Sequence, residues 1–263
     1  GATAGRTTLG GEGLQHQDGG SLVQAAMVPN CRAYDPCFAG ELAVILDHGM
    51  REMLEQQRDV FYYITVMNEN YSQPTLPKSV EGDVIKGLYK FGEHKVGAGR
   101  PVVRLVGSGT ILHEVIDAAE LLAKDWQVDS EIWSATSFSE LARDAREVER
   151  WNRLNPGDAS RASHVGTCLG GRAPVVAATD YVRAWPELIA PHVDAPVVAL
   201  GTDGFGRSDT RAALRQFFEV DKHQVVLAAL TALLRQGVLD ASICAQAIER
   251  YQINASCPSS WSC

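Results

Sequence analysis

The 263-residue chain lacks the long apolar runs and the excess of positive charge that mark several classes of protein. No stretch reaches the roughly 18 consecutive apolar residues that a membrane-spanning helix needs. Residues 1–20 hold no basic-then-apolar signal peptide. The net charge of -8 argues against general affinity for nucleic acid and for anionic membranes. These absences predict a cytoplasmic protein that binds neither of them.

The cysteines show neither a metal-binding pattern nor a disulfide framework. None of the six forms a C-x-x-C pair, and no two stand beside histidines at the spacing of zinc ligands. In a cytosolic chain of this size we expect free thiols. The cysteines are Cys31, Cys37, Cys168, Cys244, Cys257 and Cys263.

Apolar periodicity is abundant, and hydrophobic residues make up 45% of the chain, which is enough for a sizeable core. Helical spacing predicts helices, and runs of β-branched and aromatic residues predict strands. Helices are predicted at about 37–57, 110–126, 137–151, 208–218, 222–236 and 240–252, with another interrupted near Trp185-Pro186. Strands are predicted at 60–66, 101–109, 131–136, 174–179 and 196–202.

Short polar residues before several apolar runs predict helix N-caps. Their side-chain oxygens can accept hydrogen bonds from the free N–H groups of a first helical turn. The predicted N-caps are Asp35, with Pro36 at the first helical position, Ser137, with Glu140 completing a capping box, Ser208 or Asp209, and Asp221.

The order of these elements predicts an α/β fold in two pieces. A linker is predicted near residues 68–100, because its first part, "NENYSQPTLPKSVEGD", is polar and holds two prolines. The strands at 101–109 and 131–136, with the helix between them, form a β-α-β unit. The second piece looks complete. The first has one clear helix and one clear strand, too few for a layered domain, so we expect it to be the remnant of one.

Two glycine-rich turns follow predicted strands, where α/β sheets tend to place binding sites. Gly107–Leu112, "GSGTIL", opens a helix as a dinucleotide fingerprint would, but Leu112 stands in place of the third glycine. It is either an anion-binding helix start or a tight turn without a ligand. Gly201–Asp209, "GTDGFGRSD", fits neither the dinucleotide nor the phosphate-loop pattern. It is either a turn with a charge pair or a site for an interface or an anion.

Histidines are the remaining candidates for chemistry. His113 and Asp117 are four residues apart on a predicted helix, which is typical of a solvated face. His16 lies in the glycine-rich stretch Gly11–Gly20, "GEGLQHQDGG". An imidazole that titrates near neutral pH suits proton transfer or polarisation of a carbonyl. A lone loop histidine is more often an ordinary surface residue, so the residues alone leave both interpretations of His16 open.

Eight segments, in order between residues 3 and 221, resemble one enzyme family. This is the homodimeric pyruvate dehydrogenase E1 family, thiamine-diphosphate enzymes of the transketolase superfamily, and the likeness is to the carboxy-terminal part. The segments are "TAGRTTLGGEGLQHQDG", "VPNCRAYDP", "FYYITVMNENY", "LVGSGTIL", "SATSFSELARDA", "ERWNRLNP", "ATDY" and "LGTDGFGRSDTRAALRQFFEVD".

The resemblance implies a fold, a site and a set of partners. Residues 1–90 would be the end of an aminopyrimidine-binding domain with a linker, and residues 91–263 a three-layer α/β domain like the transketolase C-terminal domain. His16, in "GLQHQDG", would be a catalytic residue that faces the substrate. The intact enzyme would use thiamine diphosphate with Mg²⁺ to decarboxylate pyruvate. Its partners would be a second E1 subunit and the E2 acetyltransferase, whose lipoyl group receives the acetyl unit.

The chain also departs from the pattern of thiamine enzymes. The G-D-G…N motif that binds the diphosphate and Mg²⁺ is absent, since Val84 follows Gly82-Asp83. The glutamate that activates the aminopyrimidine would precede residue 1. We therefore expect an E1 fragment that alone is inactive and does not hold the cofactor tightly. The alternative is a non-catalytic dimerisation or regulatory module derived from that enzyme.

Overall fold

The computed structural model describes residues 5–11 and 13–262, which form two sheets with helices around them. The strands are β1 (Cys31–Tyr34), β2 (Phe61–Ile64), β3 (Leu88–His94), β4 (Val102–Gly107), β5 (Asp129–Ala135), β6 (Val175–Ala178) and β7 (Val197–Leu200). The α-helices are α1 (Ser21–Ala26), α2 (Ala39–Met50), α3 (Glu81–Lys86), α4 (Ile111–Trp126), α5 (Phe138–Leu154), α6 (His164–Cys168), α7 (Arg211–Phe217), α8 (Lys222–Arg235) and α9 (Ala241–Arg250). Within the described ranges, no helix has both the length and the apolar character to span a membrane.

The first sheet is a parallel pair of β1 and β2, in which Cys31 lies opposite Phe61 and Tyr34 opposite Ile64. Parallel strands need a crossover connection, and α2 with the π-helical turn Arg51–Glu55 provides it. The predicted helix and strand of this piece are confirmed. The sequence patterns did not predict β1, a four-residue strand.

The second sheet has the order β3-β5-β4-β6-β7. β3 is antiparallel to β5, and the other neighbouring strands are parallel. The predicted β-α-β unit is therefore confirmed as β4, α4 and β5. β4 occupies the centre of the sheet and β7 one edge, a difference that determines what surrounds the turn after each strand.

Helices cover both faces of this sheet, which confirms the predicted layered α/β fold. Leu105 belongs to an apolar cluster that includes residues of α4 and α8. Its neighbour Val106 belongs to a second cluster, which includes Leu141 of α5. Adjacent strand residues point to opposite faces, so both faces of β4 are buried in apolar layers.

Strand β3 lies inside the segment that was predicted as a linker. It forms the other edge of the large sheet, and its pairing register shifts between Lys90 and Gly92, as at a β-bulge. Only Leu88 and Tyr89 at its start are buried. A bulged edge strand that contains glycine has a weak alternation of polar and apolar residues, which explains why the pattern missed it.

The prediction of Asp35 as an N-cap is wrong. Helix α2 has Phe38 as its N-cap. Glu41 Oε2 accepts hydrogen bonds from the backbone N of Cys37 at 2.6 Å and of Phe38 at 2.9 Å. The carboxylate of Asp35 instead accepts a hydrogen bond from Ser108, which is 73 residues away in the sequence. Asp35 thus makes a tertiary contact with Ser108 and does not cap the helix that follows it.

Other caps follow the sequence more closely. The side-chain oxygens of Ser137 and Asp221 accept from backbone N–H groups three residues on, as predicted. The predicted capping box is not completed, because the Glu140 carboxylate accepts from the guanidinium groups of Arg32 and Arg143 instead. Helix α7 is capped by Thr210, one residue beyond the predicted pair, because its Oγ1 accepts from the N of Ala213 at 3.3 Å.

Candidate functional site

His16 is the last residue of the one-turn 3-10 helix Leu14–His16, and its side chain is exposed. Its backbone N donates to the carbonyl of Gly13 at 3.0 Å, and the N of Gln17 donates to the carbonyl of Leu14 at 3.3 Å. These bonds give the stretch a defined local conformation. We call residues 13–20 the histidine loop.

The histidine loop packs on Gly201–Asp209, which we call the outer turn. Gln17 Nε2 donates to the carbonyl of Arg207 at 2.9 Å, and the N of Arg207 donates to Gln17 Oε1 at 2.8 Å. The N of Gly11 donates to the carbonyl of Asp209 at 2.9 Å. The sequence left open whether the outer turn is a plain turn or part of an interface, and in the structure it contacts the histidine loop of the same chain.

The far end of the histidine loop is held by Asp18. Its Oδ1 accepts from the backbone N of Gly20 and of Ser21, both at 3.0 Å. The N of Val182 donates to the carbonyl of Gly19 at 2.9 Å. Gln17 and Asp18 thus hold the loop through structural hydrogen bonds, and His16, between Gln15 and Gln17, is exposed to solvent.

The segment before the loop is anchored on Asp180, which follows β6. Both carboxylate oxygens of Asp180 accept from the N of Thr7, at 3.1 and 3.2 Å. The Arg6 guanidinium donates to the carbonyls of Thr202 and Gly204. Asp180 is fully buried, and desolvation raises the pKa of its carboxyl to about 7, although the hydrogen bonds from Thr7 oppose the shift.

A carboxylate fills the second glycine-rich turn, Gly107–Thr110, which we call the inner turn. Asp35 accepts from Ser108 Oγ at 2.7 Å and from Thr65 Oγ1 at 2.6 Å. A Cβ placed on Gly109 would lie 2.7 Å from Asp35 Oδ1. Burial raises the pKa of Asp35 to about 6, and the two hydroxyl donors counteract part of that shift. The space that an anion would need already holds an acidic group, so the inner turn is a tight turn of the interface.

Arg215 of α7 binds the inner turn and the neighbouring residue Glu69 of the first piece. It is 7% exposed and lies 2.6 Å from Glu69 and 3.2 Å from Glu114. Its guanidinium also donates to Thr110 Oγ1 at 3.1 Å. The carboxyl edge of the large sheet is therefore occupied by polar contacts with the first piece of the chain.

The sequence did not single out Gln17, Asp180 or Arg215. Each lies inside a segment that carries the family resemblance, but none shows a local pattern that assigns it a contact. The partners of Asp180 and Gln17 are 173 and 190 residues away, and the partners of Arg215 named above are 101 to 146 residues away. Only the packing of the two pieces reveals them.

His113 and Asp117 do not form the solvated pair that their spacing suggested. The ring of His113 lies 4.1 Å from that of Tyr71 and 5.5 Å from that of Phe38, centroid to centroid. Desolvation lowers its pKa. Asp117 pairs instead with Lys222 Nζ at 3.0 Å. His113 thus belongs to a half-buried aromatic group.

In residues 5–11 and 13–262, no group of three or more His, Cys, Asp or Glu side chains is placed to hold a metal ion. The five cysteines in those ranges are free thiols. Cys168 lies 3.6 Å from His164 Nε2, but desolvation raises the pKa of this thiol to about 11. It is therefore protonated at neutral pH and poorly suited to nucleophilic chemistry.

Two family models match the chain. Residues 1–74 match the pyruvate dehydrogenase E1 component middle domain. Residues 87–221 match the transketolase-like TK C-terminal domain. The two matches correspond to the small-sheet and large-sheet pieces of the fold.

Three curated relatives are pyruvate dehydrogenase E1 components. The chain is 54% identical to that of Cupriavidus necator over 259 residues, and 55% identical to that of Pseudomonas aeruginosa over 256 residues. It is 48% identical to that of Escherichia coli K12 over 257 residues. The alignments cover 97% to 98% of this chain and 29% of each relative. The chain thus spans less than a third of the length of these relatives.

Similar solved structures are transketolases. A transketolase from Leishmania mexicana aligns with a TM-score of 0.57 over 89% of this chain and 30% of its own, at 17% identity. A transketolase from Pichia stipitis aligns with a TM-score of 0.62 over 91% of this chain and 32% of its own, at 14% identity. At such identities the likeness concerns the fold alone.

Proposed function

Because the chain belongs to the pyruvate dehydrogenase E1 component family, we propose that it is part of an enzyme that decarboxylates pyruvate oxidatively with thiamine diphosphate. The acetyl unit would pass to the lipoyl group of an E2 acetyltransferase. The names of the relatives support this reaction. These relatives are more than three times as long as this chain. A second E1 subunit and a cytoplasmic location are part of the same proposal.

We also propose that the chain divides into an aminopyrimidine-domain remnant with a linker, residues 1–90, and a C-terminal α/β domain, residues 91–263. The two family matches, 1–74 and 87–221, support a division in this region. Strand β3 crosses the proposed boundary, since it spans residues 88–94 and pairs with β5 of the large sheet. On structural grounds β3 goes with the second domain.

His16 is the catalytic residue of this proposal. The observation that carries it is the contrast between His16 and its neighbour within one ordered loop. Gln17 is 9% exposed, whereas His16 directly before it is exposed to solvent. The loop is held by hydrogen bonds on both sides of His16, and it presents an imidazole, a side chain of the type most often used in general acid-base catalysis.

The described residues do not fit the diphosphate or the metal of the cofactor. Asp35 fills the inner turn, where a diphosphate would meet a carboxylate at close range. The described ranges also contain no cluster of ligands for a hard cation. We therefore propose that other parts of the longer protein hold both groups, and that this chain contributes the histidine loop.

Replacement of His16 by alanine in the intact enzyme tests the catalytic role. We expect turnover of pyruvate to fall by about 100-fold or more, as is typical when a general acid-base group is lost. Affinity for thiamine diphosphate should change little. The matched control is His48→Ala on α2, for which turnover should change less than about threefold. Turnover near that of the wild type in His16→Ala, with normal cofactor affinity, would rule out this role.

A second test uses the chain alone. Since residues 5–11 and 13–262 do not fit the diphosphate or the metal, calorimetric titration with thiamine diphosphate and Mg²⁺ should show no saturable binding in the micromolar range. Saturable micromolar binding would show that this chain carries an anchor for the cofactor, and would overturn the proposed division of labour.

A further inference from the structure

We propose that Gln17 is a positioning residue for His16. Its side-chain amide holds the histidine loop on the outer turn and thereby sets where the His16 imidazole stands. The inference rests on the proposed catalytic role of His16. It assigns a role to the outer turn, whose glycine order fits neither the dinucleotide nor the phosphate-loop pattern.

The first observation is the pairing between Gln17 and Arg207. The amide uses its donor and its acceptor on the two backbone groups of one residue, at 2.9 and 2.8 Å. Such a two-point bond fixes both the position and the orientation of the side chain. The backbone N of Gln17 also closes the 3-10 turn on Leu14 at 3.3 Å. A residue fixed at both its backbone and its side chain therefore stands directly next to His16.

The second observation is the close approach at Gly206. A Cβ on this residue would lie 2.5 Å from Gln17 Oε1, 2.9 Å from Gln17 Cβ and 3.2 Å from Leu14 Cα. Gly206 is not among the glycines with positive φ in the described chain, so its backbone conformation is open to other residues. Glycine is required here because the histidine loop lies against it.

The third observation is that the outer turn is itself supported. The Arg207 guanidinium stacks over the ring of Phe217, with its Cζ 4.3 Å from the ring centroid. The side chain of Arg207 thus has its own contact, separate from the backbone groups that pair with Gln17. Asp203 accepts from the backbone N of Arg183 at 3.0 Å, and the two side chains form an ion pair. Gln17 therefore binds a turn that is stabilised by contacts other than its own, those of Arg207 with Phe217 and of Asp203 with Arg183.

The position of His16 can be measured in this chain without any reaction. We would label the histidines with ¹³C at Cε1 and assign the His16 signal by its loss in His16→Asn. Gln17→Met keeps the side-chain length and removes both hydrogen bonds. Gly206→Ala inserts a methyl group under the loop. Both should shift the His16 signal and increase the mobility of its ring, while the signals of His113 and His223 stay in place.

Two further variants sharpen the measurement. Gly157→Ala is the matched control, because a Cβ there meets nothing within 4 Å and its φ is not positive. It should leave the His16 signal unchanged. Gln17→Glu keeps an acceptor for the N of Arg207 but loses the donor, so it should give an intermediate shift. An unmoved His16 signal in both Gln17→Met and Gly206→Ala would overturn the proposal.

Turnover in the intact enzyme tests whether this position matters for catalysis. Small misplacements of a catalytic group can cost about 100-fold in rate, so Gln17→Met should lower kcat by about 10-fold or more. The KM for pyruvate should change less than about threefold, since Gln17 is buried against the outer turn. In a His16→Ala background the same change should cost nothing further, because Gln17 acts through His16.

The two proposals fail in different ways. An additional loss of kcat in the double variant would show that Gln17 acts independently of His16, and would overturn the positioning role. Normal kcat in Gln17→Met beside a strong loss in His16→Ala would do the same. Normal turnover in His16→Ala itself would instead overturn the proposed function, and the NMR result on the loop would stand by itself.

Discussion

The inner and outer turns start from similar sequences and end in different environments. Both are glycine-rich, and both follow a parallel strand of the same sheet. The inner turn follows the central strand β4, and Ser108 and Thr110 within it are buried. The outer turn follows the edge strand β7; Thr202 and Asp203 at its start are buried, but its second half is open to solvent, with Phe205 75% exposed. The place of a strand in the sheet, more than the composition of the turn, decides whether the turn is enclosed.

The chemistry of the two turns differs accordingly. The inner turn takes up the side chain of Asp35, whose raised pKa reflects the cost of burying a charge. The outer turn takes up the amide of Gln17, which is neutral and needs only hydrogen bonds.

Gly109→Ala should have the largest effect and would break the enclosure of the inner turn. Gly109 has φ +50, and an added Cβ would lie 2.7 Å from Asp35 Oδ1 and 2.8 Å from Met67 Cε. Overpacking and a left-handed backbone each cost about 1–3 kcal/mol, so we expect a loss of about 3 kcal/mol. Urea unfolding measures it, with Gly157→Ala as the control. A loss below about 1 kcal/mol would show that the turn is loosely filled.

Asp180→Asn should have the next largest effect, and it acts at β6, between the two turns. The folded pKa of Asp180, about 7, lies above its ordinary value of 3.8. The protonated acid thus favours folding at low pH, and this contribution is lost as the pH rises towards 7. Asparagine cannot ionise, so between pH 5 and 8 the wild type should lose about 2 kcal/mol relative to the variant.

Urea unfolding at pH 5 and pH 8 checks this difference. Asp35→Asn should behave in the same direction with a smaller change, because the pKa of Asp35 is raised only to about 6. Stability profiles of wild type and Asp180→Asn that stay parallel across this range would show that Asp180 does not titrate there.

Phe205→Ser should have the smallest effect and tests the openness of the outer turn. A side chain that is 75% exposed contributes little to packing. We expect a change of less than about 0.5 kcal/mol in the free energy of unfolding. A loss comparable to that of Gly109→Ala would mean that the outer turn is as enclosed as the inner one, and the comparison would fail.

Periodicity predicted the regular elements well where one face is fully buried. In α4 the predicted apolar face, Ile111, Val115, Ala119 and Leu122, has no exposed surface. It failed at β1 and β3, which are short or bulged, because a few residues cannot establish an alternation. The role of His16 could be inferred only from the family resemblance, and it stays a prediction.

By itself, the sequence determined the six longest α-helices, most strands, two N-caps and the family, but not the short helices α1, α3 and α6. These depend on residues within one or two turns of each other, or on long motifs read in order. Only the tertiary structure showed that Asp35 accepts a hydrogen bond from Ser108 and does not cap α2, and that Gln17 pairs with Arg207. These partners are 73 and 190 residues apart. Such contacts form because buried polar groups must find partners, and the packing of two pieces determines which partners are within reach.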